Sequence, residues 1–307
     1  MNASEWLATG LSGGADVVVL GAPISRASIS PSRAHTTPAA LRRTLERFTT
    51  WDGDHGVSLE ELRVRDLGDV EGDAADPDAT AAHLRIEQAV AAARRGRAPV
   101  LVVIGGDNSL TAPAMRGLCD GVLGRDWGLL TFDAHHDVRP LDHGPRNGTP
   151  VRELIEGGLP GSRVAQIGLH GFANAPEHAA WASEHGVHAV RAGQVRARGM
   201  AAVIGDALDA LDAAGMTRLY VDVDLDVLER SCAPGCPASM PGGLLPAQLQ
   251  EAAYQLGSDR RVQGLDLCEV DAEADLNGIT LRAMASVLLA FCAGVVRRRH
   301  SQPGSEE

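Results

Sequence analysis

The stretch "LLTFDAHHDVRP", residues 129–140, ends an apolar run in Asp133, His135 and Asp137, with a chemically active side chain at every second position. Positions i, i+2 and i+4 of an extended chain share a face. A strand continued through this segment would therefore bring two carboxylates and an imidazole to one spot. A second segment, "YVDVDLDVLE" (220–229), repeats the pattern with Asp222, Asp224 and Asp226. Like charges held so close repel strongly unless a cation lies among them. Oxygen donors with a single imidazole suit Mg²⁺ or Mn²⁺ better than structural zinc. Four or more carboxylates exceed what one divalent ion requires; two ions about 3.5–4 Å apart, sharing a water, fit the count. Such a pair supplies hydroxide near neutral pH, so hydrolysis is the expected reaction class.

The elements that must position these groups are readable as an alternation. "DVVVLG" (16–21), "APVLVVIGG" (98–106), "WGLLTFD" (127–133), "SRVAQIGLH" (162–170), "TRLYVDVD" (217–224) and "RVQGLDL" (261–267) predict strands. Between them, segments such as "DATAAHLRIEQAVAAARRG" (78–96) and "AAVIGDALDALDAAG" (201–215) predict helices. Apolar strands spaced by amphipathic helices define an α/β fold with a mostly parallel sheet covered on both faces. Ligands of such sheets sit outside the carboxyl ends of the strands, where both acidic clusters fall. No linker divides the chain, so one catalytic domain is expected over 1–296, followed by a charged, disordered tail at 297–307.

Composition narrows the partners. A formal net charge of −12 and 3% aromatic residues argue against nucleic acid and anionic membrane, which require basic or stacking surfaces. The N-terminus shows no basic segment followed by an apolar one, and "AMASVLLAFCAGVV" (283–296) is too short to span a bilayer and reads as a buried helix. Five cysteines without framework spacing fit a cytoplasmic protein with reduced thiols. A bridge between Cys232 and Cys236, just past Asp226, would be a redox switch, but reduced thiols are the expectation there too.

With these motifs in place, the chain resembles the ureohydrolase family of arginases, agmatinases, guanidino-acid hydrolases and formimidoylglutamases. The resemblance rests on "GGDNSL" (105–110), "DAHHD" (133–137), "DLDVLERSCAPGCPASMPGGL" (224–244) and Asp266 to Glu269 of "LDLCEVD". It implies a three-layer α/β/α, arginase-like fold with two Mn²⁺ per subunit and a trimeric or hexameric assembly. The implied metal ligands are Asp133, His135, Asp137, Asp224 and Asp226, with Asp222 in support. Asp137 and Glu269 are the implied catalytic residues, Glu269 holding the substrate's amidine nitrogen through a charge-assisted hydrogen bond.

Two departures from the family pattern separate its branches. Asn108 stands where the family usually has a histidine ligand; it is either a weaker oxygen ligand or a helix cap. In "HGPRNGTPVREL" (143–154), Asn147 occupies the place of a histidine of arginases and agmatinases, and "NGTPVR" resembles formimidoylglutamases instead. The segment "IGLHGFANAPEHAAWASEHGV" (167–187) resembles them as well. A dianionic substrate needs local cations. Arg146, Arg152, Arg26 and Arg33 are the candidates, with His170 as a further donor and His136 as a structural neighbour. The expected reaction is N-formimidoyl-L-glutamate plus water giving L-glutamate and formamide. The alternatives are a guanidino-acid amidinohydrolase releasing urea and a non-catalytic binding protein of the same fold.

Overall fold

The structure is a computed structural model that describes residues 1–9, 14–94 and 100–300. In chain order the elements begin with α1 (Ala3–Leu7), β1 (Val17–Ala22), α2 (Thr37–Thr44), a small hairpin of β2 (Trp51–Asp52) and β3 (Val57–Ser58), and β4 (Val64–Asp69). They continue with α3 (Thr80–Ala93), β5 (Val100–Gly105), α4 (Thr111–Leu118), β6 (Trp127–Phe132), α5 (Pro150–Glu156), β7 (Val164–Leu169), α6 (Pro176–Glu184) and β8 (His188–Arg191). The last are α7 (Ala192–Arg198), α8 (Met200–Ala213), β9 (Arg218–Asp224), α9 (Pro246–Ser258), β10 (Val262–Cys268) and α10 (Ile279–His300).

Eight strands form one sheet in the order β4-β1-β5-β10-β9-β6-β7-β8, with every pairing parallel. The run "VVVLGA" of β1 shows how the layers arise. Val17 and Val19 pack with α1, α2 and α7 to α10, while Val18 and Leu20 pack with α3 to α6. A strand buried on both faces favours apolar residues throughout, and β1, β5, β6 and β7 are buried at every position, with Thr131 and Gln166 their polar exceptions. The three-layer α/β/α architecture is therefore the one the sequence predicts. Two edge strands were not legible: β4 alternates polar and exposed positions, and β8 is four residues with one buried. Edges face water on one side and carry no continuous apolar signal.

Residues 98–99 of the predicted strand and 95–96 of the predicted helix lie outside the described residues. The tail expected from 297 is corrected at its start, because 297–300 form the last turn of α10. Arg298 donates there to the carbonyls of Asp259 and Val262, and Arg299 pairs with Asp16. Residues 301–307 lie outside the described residues. By length and apolarity α10 is long enough to cross a membrane, but 72% of that window is buried inside the fold.

The sheet order places β10 and β9 between β5 and β6. The carboxyl ends of these four central strands carry Asn108, Asp133, Asp224 and Glu269 to one rim of the sheet.

Candidate metal centre and active site

Past β5 the chain turns through Gly105 and Gly106. Gly106 donates to Ala22 O and accepts from Glu269 N, so the turn is pinned between the ends of β1 and β10. A Cβ on Gly106 would lie 2.1 Å from Ile24 O, which excludes any side chain there. The helical turn that follows is capped by Asp107, whose carboxylate accepts from Ser109 N at 3.1 Å. This excludes the cap reading of Asn108. Its side chain is not the cap and enters the acidic cluster, where Nδ2 donates to Asp137 Oδ2 at 2.5 Å. Oδ1 turns away and accepts from Thr111 Oγ1 at 2.8 Å. Ligation by Asn108 would require the amide turned over.

The convergence of Asp133, His135 and Asp137 has a different cause from the one expected. β6 ends at Phe132, so strand parity does not align them. The loop beyond curls back, with Asp137 in the left-handed region at φ +54°. His135 Nδ1 lies 3.0 Å from Asp226 Oδ2 and 3.3 Å from Asp133 Oδ1. Asp226 accepts from Ala134 N, and its own N–H donates to Asp224, so the two acidic segments are tied backbone to side chain. One donor atom each from Asp133, His135 and Asp226 lies within 4.8 Å of the others. Asp222, Asp266 and Cys268 form a similar group one step deeper in β9 and β10. Tyr220 donates to Asp266 there at 2.8 Å.

The electrostatics state what this arrangement lacks. Burial, then the charge of Asp226, pushes Asp133 up to about 6. Burial and neighbouring carboxylates hold Asp137 and Asp224 well above the usual carboxylate range. Burial works against the charge on His135, yet Asp226 and Asp133 outweigh it and raise its pKa to about 12. One imidazolium cannot balance five buried acids (Asp133, Asp137, Asp222, Asp224, Asp226), and a hard, oxygen-seeking divalent pair would. The donor set thus fits a dinuclear metal site held by Asp133, His135, Asp137, Asp224 and Asp226.

A cavity of about 190 Å³ opens above this cluster, lined among others by His135, Asp137, Asp224, Asp226 and Asn147. Asn147 is fixed at both ends: Nδ2 donates to Glu269 Oε1 at 2.9 Å, and Oδ1 accepts from Ile29 N at 3.0 Å. Glu269 is 3% exposed, sits at φ +64°, and also accepts from Asn108 N, so it lies behind Asn147 rather than lining the cavity. Burial, then Asp107's charge, raises its pKa to about 8.

The structure does not bring the other predicted substrate residues here. Arg152 pairs with Glu156 and lies over Trp181, and His170 Nε2 meets Pro241 O. Arg146 and Arg26 line a separate cavity, and Arg33 pairs with Glu273. His136 is buried against Gln166, and Cys232 and Cys236 are both free thiols. Sequence reasoning missed Arg139, Asn174 and His178, which do line the site. The guanidinium of Arg139 has no hydrogen-bond or ion-pair partner among the described residues. Spacing alone does not signal it, because β6 ends at Phe132 and the loop beyond sets which side chains reach the cavity.

Fold and site together define an arginase-like α/β/α protein with a candidate dinuclear centre at its strand ends. The family model described as "Arginase family" matches residues 15–294. A formimidoylglutamase of Halalkalibacterium halodurans is 37% identical over 281 residues, covering 90% of this chain and 86% of the relative. The crystal structure of Bacillus subtilis formimidoylglutamase superposes with a TM-score of 0.89 at 31% identity, covering 96% and 92% of the two chains. A Trypanosoma cruzi formiminoglutamase solved with Mn²⁺ gives a TM-score of 0.86 at 25% identity, covering 97% and 99%. The chain belongs to the arginase family.

Proposed function

We propose that this protein hydrolyses a C–N bond of a linear amidine bearing carboxylates, namely N-formimidoyl-L-glutamate plus water to L-glutamate plus formamide, with Mn²⁺ as its metal. The observation that carries the reading is the unpaired Arg139 guanidinium at a cavity whose other charged wall is acidic. A bidentate guanidinium is the natural partner of a substrate carboxylate, and an ammonium-tailed substrate would be repelled by it. The 37% identical relative named formimidoylglutamase supports the same branch.

Two divalent ions held by Asp133, His135, Asp137, Asp224 and Asp226 would supply an activated water as nucleophile. The chain's own residues do the rest. Arg139 anchors a carboxylate and so sets how deep the amidine carbon sits. Asn147, clamped by Glu269 and Ile29 N, offers its remaining N–H and carbonyl edge to the amidine. The leaving amine must gain a proton, and Asn147 has none to give. His178 is the cavity imidazole outside the ligand set. Burial, then the charge of Arg139, keeps its pKa below the ordinary value, so it is neutral at pH 7 and can pass a proton from the attacking water to the amine.

The test is direct. Protein loaded with Mn²⁺ is incubated with N-formimidoyl-L-glutamate, and glutamate and formamide are quantified. Equal release of both is expected. No release from protein with bound metal would refute the reading and turn attention to urea release from 4-guanidinobutyrate.

A further inference from the structure

Arg26 and Arg146 meet in a cavity of about 390 Å³ that is distinct from the one above the acidic cluster. Asp78, His83 and His143 line it with them. Arg26 is held by backbone carbonyls alone, Nε donating to Asp73 O at 2.5 Å and Nη2 to Ala74 O at 2.6 Å. The nearby carboxylate of Asp73 is occupied by the N–H groups of Ser25 and Arg26. The side chains of Arg146 and His143 have no partner among the described residues. His83 forms a buried wall, its Nε2 2.8 Å from Ser109 Oγ. Asp78 is the one acidic side chain in the lining, and it accepts from Thr80 N at 2.8 Å.

Two guanidiniums and one carboxylate line the cavity, and with the Asp73 carboxylate lying against Arg26 it is Arg146 that has no acidic partner, in a chain whose formal net charge is −12. Other arginines are neutralised by an adjacent acid, as Arg42, Arg85, Arg116, Arg218 and Arg261 are. Like charges facing one concavity are stabilised by an oppositely charged guest, and guanidiniums select planar or tetrahedral oxyanions.

We propose that this cavity binds the oxyanion of a small molecule, a carboxylate or a phosphate monoester, between Arg26 and Arg146 with His143 beside it. The loop that carries Arg146 also carries Asn147, whose N–H donates to Ala27 O and whose side chain holds Glu269. Occupancy therefore bears on the segment that fixes Asn147.

The experiment is calorimetric titration of metal-loaded protein, freed of excess metal, with inorganic phosphate and separately with succinate. Saturable binding of at least one probe is expected, and the preferred probe identifies the class. Arg146→Ala, at an exposed position, should weaken it at least about tenfold, the loss of one charge-assisted hydrogen bond. Asp78→Asn keeps an oxygen for Thr80 N–H, removes a repelling charge, and should tighten binding several-fold. Anion capture at the acidic cluster would respond to neither substitution. Thermal melts of both variants verify folding. Absence of saturable binding with both probes, or affinities equal to the parent in both variants, would overturn the proposal.

Discussion

Stripping divalent ions from this protein should make its stability fall as pH rises, the reverse of the trend common to proteins with salt-bridged carboxylates. Asp133 is raised from 3.8 to about 6, by burial and then Asp226. Glu269 is raised from 4.5 to about 8, by burial and then Asp107. Between its unfolded and folded pKa, each group holds a proton in the folded chain that the unfolded chain has released. The stability so contributed is full below the unfolded value and lost as pH climbs through the folded one. His135 acts in the same direction, because its folded pKa of about 12 lies above the ordinary 6.5. At about 1.36 kcal/mol per pKa unit, Asp133 alone corresponds to roughly 3 kcal/mol and Glu269 to roughly 5. They titrate as one cluster and do not sum, so their expected contribution is a fall of about 4 kcal/mol from pH 5 to pH 8, offset by about 2 kcal/mol between pH 5 and 6.5, where buried neutral His83 acts in the opposite direction.

Metal reverses this, since ligands must lose their protons to bind and the ion then stabilises the folded state. Urea denaturation of chelated and Mn²⁺-loaded protein at pH 5, 6, 7 and 8 measures both slopes. The gap between the two forms should widen towards pH 8. In metal-free protein, Asp133→Asn should flatten the slope and raise stability at pH 8 by about 2–3 kcal/mol, while abolishing the gain from metal. A metal-free stability that is level or rising from pH 6.5 to pH 8, where His83 is neutral in both states, would refute the charge reasoning on which the metal centre rests.

Arg139→Ala should raise KM for N-formimidoyl-L-glutamate by about ten- to a hundredfold, the equivalent of roughly 1.5–3 kcal/mol, with a smaller effect on kcat; steady-state kinetics decide, and an unchanged KM would remove Arg139 from substrate binding. Gly106→Ala should cost about 3 kcal/mol or more, because its methyl would overlap Ile24 O at 2.1 Å; a melting temperature within a degree of the parent would contradict this. His83 is lowered from 6.5 to about 4, by burial and then Arg116. Its folded form stays neutral while the unfolded chain takes a proton, so stability is full above pH 6.5 and roughly 3 kcal/mol is lost as pH falls towards 4. His83→Gln should shrink that acid loss by a comparable amount, and an unaltered acid slope would count against the shift.

The central strands were legible because burial on both faces favours short apolar runs such as "VVVLG" and "VLVVIG", and the longer run at 283–296 reads as a helix by its length. The acidic clusters were legible because unneutralised charge after such runs calls for a cation. The edge strands were not, since their residues answer to water on one side. The arginines illustrate a different limit. Arg146 and Arg152 stand beside Asn147 in sequence, yet Arg152 lies on α5 and turns to Glu156, while Arg146 points to another cavity. Proximity along a loop does not specify which wall a long side chain reaches, whereas a helix fixes i,i+4 partners locally.

The case of "DAHHDVR" shows a correct set of residues reached through an incorrect geometry. Alternation assumed a strand through Asp137, but β6 stops at Phe132 and the loop must satisfy its own backbone. His135 N donates to Asp133 and Ala134 N to Asp226, so the carboxylates that would hold metal also serve as turn acceptors. Asp137 and Glu269 adopt left-handed backbone nearby, positions that ordinary residues adopt only when the surroundings over-determine them. Both lie next to Asn108, one through Nδ2 and one through its backbone N–H. Two of the four described non-glycine residues with positive φ thus lie where three strand ends exchange hydrogen bonds. It follows that the site is a property of the loops locked to one another, and that a ligand position replaced singly will disturb its neighbours as well as the metal.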